Sequence, residues 1–186
     1  MVDVTTLLGD LLHAKSEKFG EEYYIVKKEN LVEAMQRLQP EFTYFSECLG
    51  VDYSTWSHPR DLEERFEVVY NLLSMSSYQR IFVKTGVNDG ESIPSLKHIY
   101  AGAEYPEKEI GDLYGIVFTG NELAPGSRFI LPDDWVGFPL RKEYPLGGED
   151  VLFDLASRGP AIEDKMTPHA GESFPGKTGS DTVSGR

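Results

Sequence analysis

The sequence predicts an α+β fold: N-terminal helices with a small antiparallel sheet, followed by an extended C-terminal segment. Three observations support this. Apolar stripes near the N-terminus repeat at helical spacing, a run with period two begins at Phe66, and residues 127–146 are rich in Pro and aromatic residues but follow neither period. At 186 residues, 40% of them hydrophobic, the chain is long enough for one domain with its own core.

The first 40 residues predict two helices with a short strand between them. After the capping candidate Asp3, the first helical stripe comprises Leu7, Leu8, Leu11, Leu12 and Ala14. A second stripe from Leu31 to Leu38 stops before Pro40, which cannot continue a helix. Residues 23–26 lie between these stripes and are rich in β-forming side chains, so we expect a strand there.

The middle of the chain predicts an antiparallel hairpin and two further helices. Alternate apolar residues from Phe66 to Leu72 form one strand, residues 80–85 form the next, and a Ser-rich turn joins them. Pro94 is expected to open a helix through Ala103. Another is expected from Pro106 to Gly115, because Pro suits a first turn and Gly suits the residue after a last turn.

These patterns divide the chain into three parts. We predict an α+β domain over residues 1–118, an extended partner-docking segment over residues 119–157 and a Gly/Pro-rich tail over residues 158–186. The tail contains five Gly and three Pro, with Phe174 as its one aromatic residue. Such a composition buries too little apolar area to offset the entropy of ordering the tail alone.

Composition excludes several classes of function. The formal net charge of -13 repels nucleic acid and anionic lipid, and no apolar run approaches the length of a membrane-spanning helix. Cys48 is the single cysteine, and the four histidines are scattered. We therefore expect no disulfide, iron–sulfur cluster or metal site within this chain, and a location on the cytoplasmic side.

One nucleotide-binding pattern is present but lacks its structural context. Gly171, Gly176, Lys177 and Thr178 fit the spacing of a phosphate-binding loop. Such a loop requires a preceding strand and a following helix of several turns, whereas only eight residues follow Thr178. A nucleotide site here is thus the weaker hypothesis.

A charged cluster on the Pro106 helix has two interpretations. Lys108 can pair with Glu104 and Asp112 at helical spacing, and Glu107 and Glu109 adjoin it. The simpler interpretation is a solvated helix face. A catalytic interpretation would make an acidic residue a general acid or base, but no nucleophile or cofactor site accompanies it. We therefore assign no catalytic, cofactor-binding or metal-binding residue.

Two blocks of sequence resemble the thirty-kilodalton subunit family of respiratory complex I and its homologues in membrane-bound hydrogenases and archaeal reduced-deazaflavin (coenzyme F-420) dehydrogenases. The first block contains Glu107, Lys108, Glu109, Asp112, Gly115 and Ile116. The second contains Leu131, Pro132, Asp133, Asp134 and Trp135, followed by Pro139 to Pro145. The resemblance covers roughly residues 42–146. Lys108 replaces the family's usual Arg, Asn121 stands near a usual His, and Phe138 replaces a usual His.

The resemblance implies a cofactor-free accessory subunit in the peripheral arm of a membrane-bound oxidoreductase. It would assemble and position the forty-nine-kilodalton, hydrogenase-large-subunit-like partner on the cytoplasmic face, with iron–sulfur clusters and a quinone-type acceptor in partner subunits. The electron donor stays open among NADH, ferredoxin, reduced deazaflavin, formate and hydrogen. The residues predicted at the partner interface are Glu107, Lys108, Glu109, Asp112, Trp135, Arg141, Lys142 and Tyr144. The alternative is a freestanding small enzyme or nucleotide-binding protein that uses the acidic cluster or the GKT loop.

Overall fold

A five-stranded sheet forms the centre of the fold, and its inner strands are the ones with the clearest apolar patterns. The computed structural model describes residues 2–145. Within that range the strands are β1 (Leu12–Lys18), β2 (Glu21–Val26), β3 (Tyr44–Asp52), β4 (Phe66–Leu73), β5 (Arg80–Val87), β6 (Ser92–Pro94) and β7 (Val117–Thr119). The α-helices described there are α1 (Val4–Leu8), α2 (Leu31–Leu38) and α3 (Glu104–Tyr114).

The strand order in the main sheet is β1-β2-β5-β4-β3, and the α+β class is confirmed. The pairs β1–β2, β5–β4 and β4–β3 are antiparallel, as expected for a sheet built from hairpins. The pair β2–β5 is parallel, with Tyr23 opposite Phe82. The sheet is therefore mixed and larger than predicted, because hairpin signals in a sequence report neighbouring strands and not pairings across a crossover.

The core joins the inner strands to the helices. Helix α2 buries its apolar face completely, and these side chains lie in one cluster with the inward residues of β4 and β5. The fully buried members of that cluster include Leu31, Ala34, Met35, Leu38, Val68, Tyr70, Leu72, Ile81 and Val83. Burying a Leu or Met side chain contributes about 1.5–3 kcal/mol. The predicted strand at Tyr23, helix α2 and the β4–β5 hairpin are all present.

Of the predicted helices, the first is shorter than expected and the one from Pro94 to Ala103 does not form. Helix α1 ends at Leu8, and Leu12 and Ala14 belong to β1, because Gly9 turns the chain with a φ of 54°. Pro94 ends strand β6 and does not open a helix; after it the described chain makes turns and one 3₁₀ turn at Ala101–Ala103. The apolar spacing there reflects burial of Leu96 and its neighbours in the core.

Helix α3 packs against β3 and ends where the sequence predicts. It begins two residues before Pro106, and Gly115 follows it in the left-handed conformation with a φ of 74°. Strand β3 was not predicted, since its burial pattern does not alternate. After β7, residues 120–145 contain no helix or strand and lie against α3 and one end of the sheet.

Replacing Gly115 with Ala is expected to destabilise the chain more than the same change at Gly120. Both glycines have positive φ, which costs a side chain about 1–2 kcal/mol. A Cβ at Gly120 would meet nothing within 4 Å, but at Gly115 it would lie 2.6 Å from the Phe138 ring. We expect Gly115→Ala to cost at least ~1 kcal/mol more in urea unfolding, from overpacking. Equal losses would show that Phe138 does not cover the helix end in solution.

Candidate partner-docking surface

The carboxylate of Asp112 holds the C-terminal segment onto helix α3. Asp112 is fully buried, and its Oδ2 accepts hydrogen bonds from three successive backbone amides, those of Phe129 at 3.1 Å, Ile130 at 2.8 Å and Leu131 at 2.9 Å. Its Oδ1 accepts from Arg128 at 3.3 Å. Consecutive N–H groups that converge on one oxygen form an anion-binding concavity, which fixes the backbone of these residues.

These contacts keep Asp112 ionised. Burial by itself would raise the pKa of the carboxyl group, but the amides of Leu131, Ile130 and Phe129, together with Arg128, outweigh it, so the pKa lies below its ordinary value. The buried charge is therefore compensated by its own chain.

The guanidinium of Arg128 closes the same segment into a loop. Besides Asp112, it donates to the carbonyl oxygens of Trp135 at 2.8 Å and Gly137 at 3.0 Å. Its planar group also lies 5.4 Å from the centre of the Phe138 ring. The Arg128 side chain thus holds the start and the middle of the segment together. It can do so because the planar guanidinium carries several N–H donors in a rigid arrangement.

Asp52 forms a second anchor at the end of β3. Its Oδ2 accepts from the Lys142 backbone amide at 2.9 Å and from Arg65 at 3.0 Å, and its Oδ1 accepts from the Ser54 amide at 2.9 Å. Burial would raise the pKa of Asp52, but the hydrogen bonds from Arg65, Lys142 and Ser54 hold it well below its usual range. Arg65 also pairs with Glu143, so this anchor holds two neighbouring residues of the segment.

Arg141 connects the segment to the end of α3 and to the loop after β5. Its Nε donates to the Tyr114 carbonyl at 2.6 Å, and its two Nη atoms contact both oxygens of Asp89 at 2.8 and 2.9 Å. The guanidinium lies between two aromatic rings, 5.2 Å from the centre of Phe66 and 4.7 Å from that of Phe138. This bidentate and stacked geometry is specific to Arg.

Glu107 joins the loop before α3 to the turn after β7. It is fully buried, and its oxygens accept from the Leu96 amide at 2.8 Å, the Ser95 hydroxyl at 2.5 Å and the Asn121 side-chain amide at 2.9 Å. Donors from the same chain therefore satisfy the oxygens of the buried Glu107 carboxylate. Glu107, Asp112 and Asp52 are called the acidic anchors below.

The predicted interface residues separate into buried and exposed groups. Glu107 and Asp112 are internal, and Arg141 is largely covered. Lys108 pairs with Glu104 at 2.9 Å and does not reach Asp112, which Arg128 holds instead. Glu109 and Lys142 are exposed on the surface. Trp135 and Tyr144 stack with ring centres 6.2 Å apart. Their contact with a partner stays a prediction.

Sequence reasoning missed three charged residues of this site. Asp52, Arg65 and Arg128 are as important to the geometry as Glu107 and Asp112. Their roles are visible only from the residues that they contact in the folded chain. Asp52, for example, lies 90 positions from its hydrogen-bond partner Lys142. Local spacing carries no signal of such a distant pairing.

Outside the acidic anchors, the segment and α3 expose an apolar surface. The Tyr105 and Phe129 rings stack 5.8 Å apart, yet both are exposed, as is the adjacent Ile130. Lys108 lies over the Tyr105 ring and lines a pocket of about 210 Å³. Other residues of the pocket wall are Gly111, Gly115, Val117, Leu123 and Phe138. We call Tyr105, Lys108, Phe129, Ile130 and this pocket the docking surface.

Over residues 2–145, no group of three or more His, Cys, Asp and Glu side chains is arranged to hold a metal ion. No helix in that part of the chain is long and apolar enough to cross a membrane.

Two solved structures share this fold. The chain is similar to a trypsin-resistant fragment of Nqo5, with a TM-score of 0.55 and 28% identity, over 60% of this chain and 89% of that one. A chain of the membrane-bound sulfane sulfur reductase, an archaeal respiratory membrane complex, shares the fold with a TM-score of 0.61. That likeness covers 90% of this chain and 94% of the other, at 19% identity.

Sequence comparison identifies the family. Residues 24–150 match the model of the respiratory-chain NADH dehydrogenase, 30 Kd subunit. An NADH-quinone oxidoreductase subunit from Roseiflexus castenholzii is 44% identical over 151 residues, which are 78% of this chain and 82% of that protein. The corresponding subunit from Sinorhizobium medicae is 38% identical over 161 residues, 83% of this chain and 76% of that protein. The chain belongs to the respiratory-chain NADH dehydrogenase 30 Kd subunit family, which confirms the resemblance.

Replacing Asp112 with Asn is expected to destabilise the chain by about 3 kcal/mol, because it leaves the largely buried Arg128 without its counter-charge. The exposed Glu109 provides the control, and Glu109→Gln should change the free energy of unfolding by under ~0.5 kcal/mol. Urea unfolding measures both, and limited proteolysis should cut residues 127–145 faster in Asp112→Asn. Similar behaviour of the two variants would contradict the anchoring role.

The stability of the chain should fall in acid because folding lowers the pKa of Asp52 and Asp112. The unfolded carboxyl groups, with an ordinary pKa of about 3.9, take up protons first as the pH falls. The stability that ionised Asp52 and Asp112 contribute to the folded chain is therefore fully present near pH 7, and it is lost progressively below about pH 5. In Asp52→Asn the free energy of unfolding should start lower at pH 7 and fall less between pH 5 and pH 3. If the free energy of unfolding fell equally with pH in the variant and in the wild type, Asp52 would be excluded as a source of the pH dependence.

Proposed function

We propose that the chain is a cofactor-free accessory subunit in the peripheral arm of a complex I-like membrane-bound oxidoreductase. It assembles with a hydrogenase-large-subunit-like partner of the forty-nine-kilodalton type and positions it for electron transfer to quinone or a related acceptor. The observation that carries this proposal is the contrast at residues 129–131. Their backbone amides are fixed by buried Asp112, while the side chains of Phe129 and Ile130 are exposed.

A fixed backbone with exposed apolar side chains suits a docking role. Ordering a flexible segment during association costs affinity, and a segment that is already held in place avoids that cost. Tyr105 and Phe129 resemble the aromatic anchors of protein interfaces, which dominate binding energy when they enter a partner's pocket. At the pocket beside Lys108 the roles are exchanged, because here this chain supplies the pocket and the partner supplies one apolar side chain.

Positioning is a sufficient role in an electron-transfer assembly. Redox centres carried by other chains must stay at fixed separations, and a rigid neighbour preserves them without carrying a centre. The iron–sulfur clusters and the quinone-type acceptor accordingly belong to partner subunits in this proposal. The named sequence relatives are subunits of NADH-quinone oxidoreductases, and the structural relative belongs to a membrane complex. Both support membership of a membrane-associated respiratory complex. A peripheral place on its cytoplasmic face is part of our proposal.

A freestanding enzyme is less well supported. Glu107 and Asp112, the best candidates for a general acid or base, are fully buried and saturated with hydrogen bonds from their own chain. A substrate would have to displace these donors. The GKT loop at Lys177 and Thr178 lies outside the described residues, as does the whole of the predicted tail.

Replacing Ile130 with Asp should prevent docking without unfolding the chain. Ile130 is 55% exposed, so the change should alter the free energy of unfolding by under ~0.5 kcal/mol. At the centre of an interface, the same change buries an unpaired charge and should weaken binding by about 3 kcal/mol, or more than a hundredfold. The measurement is co-purification of the large-subunit-like partner with a tagged chain.

His13→Asp is the matched control for this experiment. It introduces the same charge on β1, the edge strand farthest from β3 and α3. We expect His13→Asp to retain the partner. Normal retention by Ile130→Asp would show that this surface does not contact the partner.

A further inference from the structure

Two arginines from the C-terminal segment complete the end of helix α3. The helix has no basic residue in its own last turn, although a helix carries partial negative charge and unpaired carbonyl groups at that end. The Asp112 carbonyl instead accepts a hydrogen bond from Arg128 at 3.3 Å. The Tyr114 carbonyl accepts one from Arg141 at 2.6 Å. We call residues 127–145, which carry both arginines, the strap.

The strap contributes no side chain to the apolar core. None of its residues is fully buried, and the last member of the core cluster along the described chain is Phe118. The amides and arginines of the strap are held instead by the carboxylates of Asp52, Asp89 and Asp112. A segment held in this way can detach while the sheet and the helices stay folded.

Opening the strap exposes charges to water and leaves the core covered. Asp52 and Asp112 are ionised in the closed form, and water can solvate an ionised carboxylate once the strap has left it. Separating β4 from β5 would instead expose Val68, Tyr70 and Val83, which are fully buried in the core cluster. The strap should therefore open at a lower free-energy cost than the sheet.

One aromatic ring connects the two ends of the strap. The centre of the Phe138 ring lies 5.4 Å from the guanidinium of Arg128 and 4.7 Å from that of Arg141. Arg128 binds Asp112 near the start of the strap. Arg141 binds Asp89 near its end. Because loss of either attachment weakens the packing of Phe138 against the other arginine, the strap should open as one unit.

Opening the strap would dismantle the docking surface. The strap supplies Phe129, Ile130 and the Phe138 side of the pocket wall. Tyr105 and Lys108 belong to α3 and cannot form the surface alone. The docking surface is therefore complete only in the closed form.

We propose that the strap opens and closes as one unit while the sheet stays folded, and that the partner binds the closed form alone. The link to the partner rests on the proposed function, whereas the opening itself does not. The closed form predominates in the free chain, and the bound partner shifts the population further toward it. Asp52 then acts as a positioning residue for a surface to which it does not belong.

Hydrogen exchange of the full chain tests the opening. Relative to their intrinsic rates, the amides of Leu131 and Lys142 should exchange at least about a hundredfold faster than that of Tyr70 in β4. Their rates should also respond less to low concentrations of urea, because opening the strap exposes less surface than unfolding the sheet. Equal rates with equal urea dependence would overturn the proposal, since the strap would then open only with the sheet.

The variant Asp52→Asn tests whether the strap is one unit. It removes the charge that holds the Lys142 amide at one end, so exchange at Lys142 and at Leu131, near the other end, should accelerate by a similar factor of about tenfold or more. Tyr70 should remain the slowest of the three, which shows that the sheet is folded. Acceleration at Lys142 alone would overturn the proposal. The control is Glu33→Gln, which removes a surface ion pair on α2 and should change neither rate by more than about twofold.

The double variant Asp52→Asn, Asp112→Asn tests the link to the partner. Both residues lie outside the docking surface, but without their charges the closed form should no longer predominate. We expect a tagged chain with both changes to retain the partner at least about tenfold less, while Tyr70 still exchanges slowly. Full retention would overturn the link, and rapid exchange of Tyr70 would overturn the proposal by showing that the strap cannot open apart from the sheet. If the partner is retained normally by Ile130→Asp, the proposed function fails and the opening of the strap still stands.

Discussion

The burial of ionised carboxylates is the constraint on which the rest of the structure depends. A charge taken out of water is costly unless its own chain supplies donors, and Asp112 can be buried only if residues 129–131 direct their amides at it. That requirement fixes the path of a segment without a helix or strand of its own. Asp52 imposes the same requirement on the Lys142 amide, farther along the segment. The segment is thus ordered by polar contacts and not by an apolar face.

This arrangement separates the residues that hold the shape from those that are free to bind. Arg128 and Arg141 direct their donors inward, to carboxylates and carbonyl oxygens. Side chains between them, such as Phe129 and Ile130, are not needed for the fold and remain exposed. The Lys108–Glu104 pair belongs to a third group, since a partly exposed pair at helical spacing contributes only about 0.3–0.5 kcal/mol. Lys108 is better understood as part of the pocket wall than as a source of stability.

Local patterns in the sequence were sufficient for elements that bury one continuous face. The alternation from Phe66 to Leu72 predicted β4, and Gly115 marked the end of α3. They were not sufficient where a single residue overrides periodicity, as Gly9 does in ending α1. They also missed every contact between distant positions, including the Asp52–Lys142 bond and the parallel pairing of β2 with β5. The motif containing Glu107 and Asp112 was found, but its buried and exposed members could be separated only with the fold in hand.

The sheet gives the proposed docking surface on α3 a rigid support. Strand β5 lies at the centre of the sheet, and its eight residues span roughly 27 Å at about 3.4 Å per residue. It is hydrogen-bonded on both sides, to β2 and β4, so neither end can move relative to the other without breaking backbone bonds in the core. Helix α3 is tied to the same sheet through Ile110 and Tyr114, which approach Gly50 of β3. A loop or a flexible linker in place of the sheet would let the position of α3 vary. A subunit built in this way presents its docking surface in a fixed position by its fold alone.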